Sequence, residues 1–539
     1  MKAMKKIISL ILGVVLCLGL LAACGGGSTT TPSAAPSATP SSDFTGNEQM
    51  TVTGGEVTED TKFKEHLTVI IDNNKIGSID PFNAGASSNT TRWALNLSLD
   101  RLVAYFNGEY TPELATEWHT EDYQHFNFKL RDDVNFHNGE NLTADDVVYT
   151  VERAKAAVGA MSNSWLGTVD TVEVVNDYEI NITLAKPNVD FLFNLTQAHA
   201  GIVNREACEA DAEKGFMIGS GPWVVTGFVS NDYVDYTRNE EYWGELPKTK
   251  ELTLKFVAEE ASRLIMLENK EVEVAFSINP VDFPYLEEDD RFDTYSYTVN
   301  NNFYVGFNMN DPICGDVNFR KAVAHVIKYD DIVEISRHGY ATASRDGTFW
   351  GFATEFRNDK IERIPYDIEK AKEYLAKSSY DGSEVEIVTA FPDQLLGAQA
   401  LQEQLTTIGV KTKIFQTDAP GISSYAKYQD NQCQMICYTG TWNTPASSVR
   451  TYYYTGAAAN RTSYNNPAIN ELIDKAAAIL DPVERGEVYK QIQAMAAEDI
   501  PFVTLYNITH VVGCLKGVAG MTLDAGAGHD LSYVYMVEE

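Results

Sequence analysis

The rhythm of apolar and polar positions divides this chain into stretches of different kinds. Ile7 to Leu21 is an uncharged apolar run, shorter than the roughly 20 residues a helix needs to cross a bilayer. Gly25 to Ser42 holds no charged residue and no apolar periodicity. From Leu67 the pattern changes, and Leu67-Thr68-Val69-Ile70-Ile71 reads as a buried strand. Ile79-Asp80-Pro81-Phe82-Asn83 reads as strand and turn, followed by a helical run over Thr91–Asn96. Phe126 to Leu130 alternates as a half-buried strand does. Thr143-Ala144-Asp145-Asp146 then opens a helix, with Thr143 as N-cap and Asp146 in capping-box position. Val147, Val148, Val151 and Ala154 form its apolar stripe.

Further on, Glu384–Ala390 reads as a strand and Gln394–Ile408 as a helix with Leu401, Leu405 and Ile408 on one side. Gly409 ends that helix. Val410–Gln416 and Gln434–Tyr438 read as strands, so the stretch is a βαβ unit with a parallel sheet. Asp481-Pro482-Val483-Glu484 starts a helix to about Glu498, with an Asp cap and Pro at the first position. Phe502–Tyr506 reads as a strand after it.

The chain has 539 residues. The part beyond the polar N-terminal stretch is too long for one core and predicts two or three lobes. Lys2, Lys5 and Lys6 precede the first apolar run, and Leu21-Ala22-Ala23-Cys24 follows it. Basic start, apolar core and small residues make a secretory signal, and its ending resembles the lipobox of bacterial lipoproteins. That resemblance implies cleavage after residue 23 and a lipid on Cys24, which places the protein on the outer face of the cytoplasmic membrane. Residues 24–62 are then expected as a flexible tether, since such composition has too little apolar surface to offset chain entropy.

Formal net charge is −34. A surface this acidic repels phosphate backbones, which argues against nucleic acid as a partner. Of seven cysteines, Cys17 leaves with the signal and Cys24 is assigned to lipid. Cys208, Cys314, Cys433, Cys437 and Cys514 remain. Cys433 and Cys437, read as one strand, would stand about 13 Å apart, too far for a disulfide. No second pair gives zinc-site spacing, so buried free thiols, with no metal and no cofactor, are expected.

The run from Phe128 through His137-Asn138-Gly139-Glu140, continued by Leu142–Tyr149, resembles the signature of extracytoplasmic solute-binding proteins of family 5, the peptide/nickel class of ABC importers. Ser78-Ile79-Asp80-Pro81, Leu114–Trp118, Gly219-Ser220-Gly221-Pro222-Trp223 and Arg238–Gly244 resemble other motifs of that family, in its order. So do Gly306-Phe307-Asn308, Val317–Ala322 and Tyr366–Ala371. The resemblance covers about Leu67 to Tyr506. It implies an α/β fold of two lobes, periplasmic-binding-protein-like (type II, clamshell), with an extra subdomain inserted in lobe 1. Lobe 1 is expected over 63–297 with the insertion at about 98–213, lobe 2 over 298–503, and a return segment over 504–539. The crossings are expected near Tyr297–Asn302 and Phe502–Asn507, with the ligand between the lobes.

No Gly-x-Ser-x-Gly, Ser-x-x-Lys, His-Glu-x-x-His or phosphate-cradling Gly-rich motif occurs. The nine histidines are scattered, and His137 in its turn reads as structural. In the family's peptide receptors, a strand ending in Trp-Thr-Gly-Asp places an acid that pairs with the peptide ammonium. Here the run is Tyr438-Thr439-Gly440-Thr441-Trp442-Asn443, with Thr441 at the acid's place, and no Asp or Glu occurs from Asn431 through Asn470. Tyr438 and Trp442 offer stacking faces. Two readings stay open: ligands without an exposed ammonium are preferred, or Trp442 packs at the lobe edge and another acid does the pairing. Asn73, Asn74 and Tyr304 complete the candidate ligand set with Tyr438, Gly440, Thr441, Trp442 and Asn443.

The function expected is a non-enzymatic, monomeric receptor that captures a peptide-like solute and hands it to an ABC permease and its ATPase. An oligosaccharide or metal chelate is the alternative ligand on this scaffold. A cell-surface hydrolase or a non-transport lipoprotein is the alternative class.

Overall fold

The structure is a computed structural model that describes residues 49–54, 57–58, 60–71, 76–86, 89–106, 109–351, 355–428, 430–526 and 529–538. The segment expected as a signal, Cys24, Asn73 and Asn74 lie outside the described residues.

One sheet of eleven strands runs through both lobes. Across it lie Thr412–Gln416, Val385–Thr389, Met435–Thr441, Phe292–Phe307 and Phe502–Leu515. Val274–Phe276, His66–Ile70, Glu251–Lys255, Tyr233–Arg238 and Trp223–Val229 follow, and Ala341–Ala343 pairs with Phe502–Leu515 off this path. The βαβ reading holds: Val385–Thr389 pairs parallel with both Thr412–Gln416 and Met435–Thr441. The intervening helix, Pro392–Thr406, begins two residues earlier than the periodicity suggests, because Pro392 sits in its first turn. Gly409 beyond it has φ +87°, the left-handed conformation that stops a helix. The helix Pro482–Asp499 is capped by Asp481, which accepts the Glu484 N–H at 2.7 Å.

Two strands, Phe292–Phe307 and Phe502–Leu515, carry the chain between lobes, and both extend well beyond the short crossings expected. They pair antiparallel from Phe292↔Leu515 to Gly306↔Phe502, but the register slips between Thr298 and Asn302 and again between Phe303 and Tyr304. At the first slip the Asn300 N–H turns to the Ala525 carbonyl, and its own carbonyl accepts the Trp442 N–H, each at 2.7 Å. A slip of this kind bends a strand and frees side chains from the ladder. It puts a joint in an otherwise continuous sheet.

Three apolar clusters accompany these strands. One packs around the lobe 1 strands and one face of the lobe 2 sheet, from Val52 to Tyr535. A second, including Tyr304, Phe349, Trp442, Tyr453 and Phe502, lies on the other face of lobe 2. The third, from Leu102 to Ile202, is built on a four-stranded sheet of Ala115–His119, His125–Leu130, Glu179–Leu184 and Val169–Asn176. Its helix Ala144–Ala156 starts where Asp146 accepts the Thr143 N–H at 3.0 Å.

The span read as a tether is shorter than residues 24–62. Met50–Thr51 pairs with Thr522–Leu523 and Val52 is buried, because this stretch has apolar side chains that reach the lobe 1 core. The cysteines Cys208, Cys314, Cys433, Cys437 and Cys514 are free and buried. Cys433 precedes the strand that holds Cys437 instead of sharing it.

The family motifs in lobe 1 converge at the root of the third cluster. His137 donates from Nε2 to the Gly221 carbonyl (3.0 Å) and accepts the Gly219 N–H at Nδ1 (3.2 Å), a neutral ring fixed in one tautomer. Burial pushes its pKa down. The buried Asp100 accepts from Trp243 Nε1 (2.8 Å), Ser220 Oγ (3.0 Å) and Tyr242 OH (3.3 Å). Its pKa is pushed up to about 6, by burial first and the nearby Glu113 charge second. A Cβ on Gly219 would stand 1.8 Å from the Ser98 carbonyl oxygen, so only glycine fits there. Arg131 lies over the Trp243 ring at 4.3 Å.

Candidate ligand-binding site

The strand Met435–Thr441 ends beside the joint, paired with the crossing strand from Phe307↔Met435 to Asn301↔Thr441. Its last residues are half-exposed except Gly440. A Cβ on Gly440 would meet the Phe349 ring at 2.5 Å, so glycine lets this aromatic ring close under the strand. Thr444 then caps the helix Pro445–Tyr453, accepting the Ser447 N–H at 3.2 Å, with Pro445 in the first turn. The Asn443 N–H donates to Ser448 Oγ (3.0 Å), and Tyr452 OH to the Thr441 carbonyl (2.9 Å), which tie the helix back to the strand end.

Strand end and helix enclose a cavity of about 320 Å³. Tyr438, Gly440, Thr441 and Asn443 line it from the strand and loop. Ser448, Thr451 and Tyr452 line it from the helix. Asn301 at the joint and Arg461 from the following loop complete the polar wall. No acidic residue lines it among the described residues. Arg461 stacks over Tyr438 at 5.1 Å and reaches Ser423 Oγ at 3.5 Å. Its Nε is buried with no hydrogen-bond partner among the described residues, as is Asn301 Oδ1.

A second contact joins the third cluster to this helix. Asp190, ahead of the helix Phe191–Leu195, accepts from Thr444 Oγ1 at 2.5 Å and from the Ser447 N–H at 3.1 Å. A carboxylate at a helix N-terminus meets free N–H groups and the positive end of the dipole. Burial holds the Asp190 carboxyl above its usual range, against the pull of the Thr444 and Ser447 bonds. The contact therefore ties the inserted subdomain to lobe 2 beside the cavity.

Two of the candidate residues do not line the cavity, and for Trp442 packing was one of the two readings left open. Trp442 is 1% exposed, with its ring 4.4 Å from Trp350 inside the lobe 2 cluster, and offers no face to a ligand. It stands just past the strand end, where its N–H bonds the Asn300 carbonyl and its ring turns into the core while Thr441 and Asn443 line the cavity. Tyr304 is also 1% exposed, edge-on to Phe349 and Phe502. Burial pushes its hydroxyl far up. Arg450 is ion-paired with Asp474 at 2.6 Å on an exposed face and does not line the cavity. Sequence reading missed Ser448, Thr451 and Tyr452, whose i, i+3, i+4 spacing after the Pro445 start is the signal that places them on one face. It also missed Asp190, 254 residues distant from Thr444, for which local pattern holds no signal.

Two lobes sharing a jointed sheet, with a small polar cavity beside the joint, make the architecture of a solute-binding protein. Residues 109–462 match the family described as bacterial extracellular solute-binding proteins, family 5 Middle, and the chain belongs to that family. It is 25% identical over 501 residues to the dipeptide-binding protein of Escherichia coli K12, covering 85% of this chain and 93% of that protein. It is 23% identical over 470 residues to the nickel-binding periplasmic protein of the same organism, covering 81% and 88%. Among solved structures, the ABC transporter substrate-binding protein CtaP of Listeria monocytogenes superposes with a TM-score of 0.79 at 24% identity, covering 88% of this chain and all of that one.

Proposed function

We propose that this chain is a lipid-anchored receptor that holds a peptide or peptide-like solute between its lobes and delivers it to an ABC permease with its ATPase. The observation that carries the reading is the polar cavity at the joint, walled by the strand end and helix of lobe 2 and flanked by Asp190 of the inserted subdomain. A solute in that place favours the closed arrangement through contacts it makes only there. Likeness to a dipeptide-binding protein supports the peptide class. The lobes are 63–297 with residues 504–539, and 298–503; the insertion spans about 98–213. The receptor works as a monomer without cofactor, catalysis or nucleic acid.

Cys24 anchors it to the outer face of the membrane, where two ester-linked acyl chains suffice for stable attachment. Cys24→Ser leaves the protein soluble or unprocessed, and an intact Ala23–Cys24 bond in the surface form would refute the anchor. Mass spectrometry of solutes released on denaturing the natively purified protein tests the ligand class. Peptides or acylated amino acids are expected, whereas sugars alone would overturn the reading.

A further inference from the structure

Arg461 is the one formally charged residue among those lining the cavity. It makes no ion pair with any described residue; its side chain touches the Tyr438 ring and makes a long hydrogen bond to Ser423. In a chain of net charge −34, a cation at a cavity wall without a carboxylate beside it is unusual. Arg450, nearby on the surface, shows the ordinary outcome in its pair with Asp474. The Nε of Arg461 is buried without a protein acceptor among the described residues, so the guanidinium has given up water there with no ion pair in return. Asn301, on the same wall, has a buried carboxamide oxygen without a donor among the described residues. One guanidinium matches one carboxylate in charge and in fork geometry. A dianionic phosphate would find no second cation in the lining.

We infer that the cavity takes the carboxylate end of its ligand, with Arg461 receiving the carboxylate and Asn301 accepting a neighbouring N–H. A carboxylate with an adjacent amide N–H is the terminal residue of a peptide or an N-acyl amino acid. This rests on the receptor reading above and sharpens it: the usual anchor of a peptide, an acid for its ammonium, is replaced here by a cation for its other end. Thr441, at the family acid's place, leaves the cavity free of negative charge that would oppose the incoming carboxylate.

The test is calorimetric titration of the full chain with four forms of one alanine-rich tripeptide. They carry a free acid or an amide at the C-terminus, each with a free or acetylated N-terminus. A glucuronosyl disaccharide and its neutral glucosyl counterpart are titrated beside them. The expected result is that free acids bind roughly 10- to 100-fold more tightly than amides whatever the N-terminus. Arg461→Gln should erase that ratio. Arg461→Lys should restore part of the ratio, which separates charge from folding, and Arg450→Gln should leave the ratio untouched. Peptides that bind with no acid preference, or with a preference that survives Arg461→Gln, overturn the inference and leave the receptor reading standing. Arg461-dependent binding of the glucuronosyl compound with no peptide binding supports the carboxylate subsite and overturns the peptide class. If none of the six compounds binds, both fall.

Discussion

The root of the inserted subdomain and the cavity wall of lobe 2 use polar residues in opposite ways. At the root, Asp100 accepts three hydrogen bonds, His137 uses both ring nitrogens, and Arg131 stacks on Trp243. At the cavity, the Arg461 Nε and Asn301 Oδ1 are buried without partners among the described residues. The first pattern belongs to a joint that must not move, since satisfied buried networks hold one arrangement. The second leaves polar groups buried without the bonds that would hold one arrangement. The most recognisable family motifs, His137-Asn138-Gly139 and Gly219–Trp223, meet at the rigid root. The stretch where the chain departs from its family, at Thr441, lies at the cavity. Recognisable sequence here marks the scaffold, and the departure from it lies on the cavity wall.

If that division is right, damage to the root is felt as lost stability and damage to the wall as lost or altered binding. The largest effect is expected from Asp100→Ala, which strands the Trp243 and Ser220 donors. It should destabilise the protein by about 3–5 kcal/mol, read as a lower denaturant midpoint. The Arg461 acid-to-amide preference should persist in the folded fraction.

Next comes pH. Because the folded Asp100 carboxyl is held near 6, above its ordinary 3.8, the folded state keeps a proton that the unfolded state releases between these values. Its contribution is therefore most favourable below about 3.8 and declines as pH rises to about 6, by about 3 kcal/mol. Asp100→Asn should flatten that limb of the stability curve; a curve identical to the parent would show that Asp100 ionises freely.

Asp190→Ala removes charge-assisted bonds that join the subdomain to lobe 2, and should weaken every ligand alike, by about 1.5–3 kcal/mol. Uniform loss across the peptide panel distinguishes it from Arg461→Gln, which changes the ranking. The smallest effect is expected from Thr441→Asp. It restores an acid at a half-exposed position, adding about 0.5–1.5 kcal/mol for free over acetylated N-termini. An unchanged ratio would show that position 441 does not meet the ammonium.

Much of the fold was legible in the sequence because its signals are local. The βαβ unit from Val385 to Gln416, the Asp481 cap and the glycine stop at Gly409 follow from periodicity and backbone conformation. The long crossing strands were read only in part: Phe292–Phe307 is sixteen residues, and its joint is a register slip with no sequence signature of its own. The strand Met50–Thr51 was hidden in a polar stretch and is held by a partner more than 450 residues away. At the site, Tyr438, Gly440, Thr441 and Asn443 could be named from the motif. Trp442 lies just past the end of its strand, where no strand period dictates which way its ring turns. Asp190 could not be read at all, because only tertiary folding brings it to Thr444.

The central claim is that two lobes close on a solute at the joint. It is tested most directly by the distance between spin labels at Val158 in the inserted subdomain and Val483 in lobe 2, which are 86% and 74% exposed. Pulsed dipolar resonance with and without the free-acid tripeptide should show a broad distribution collapsing to one shorter distance on binding. A distribution unchanged at a peptide concentration that calorimetry shows to be saturating would contradict the account.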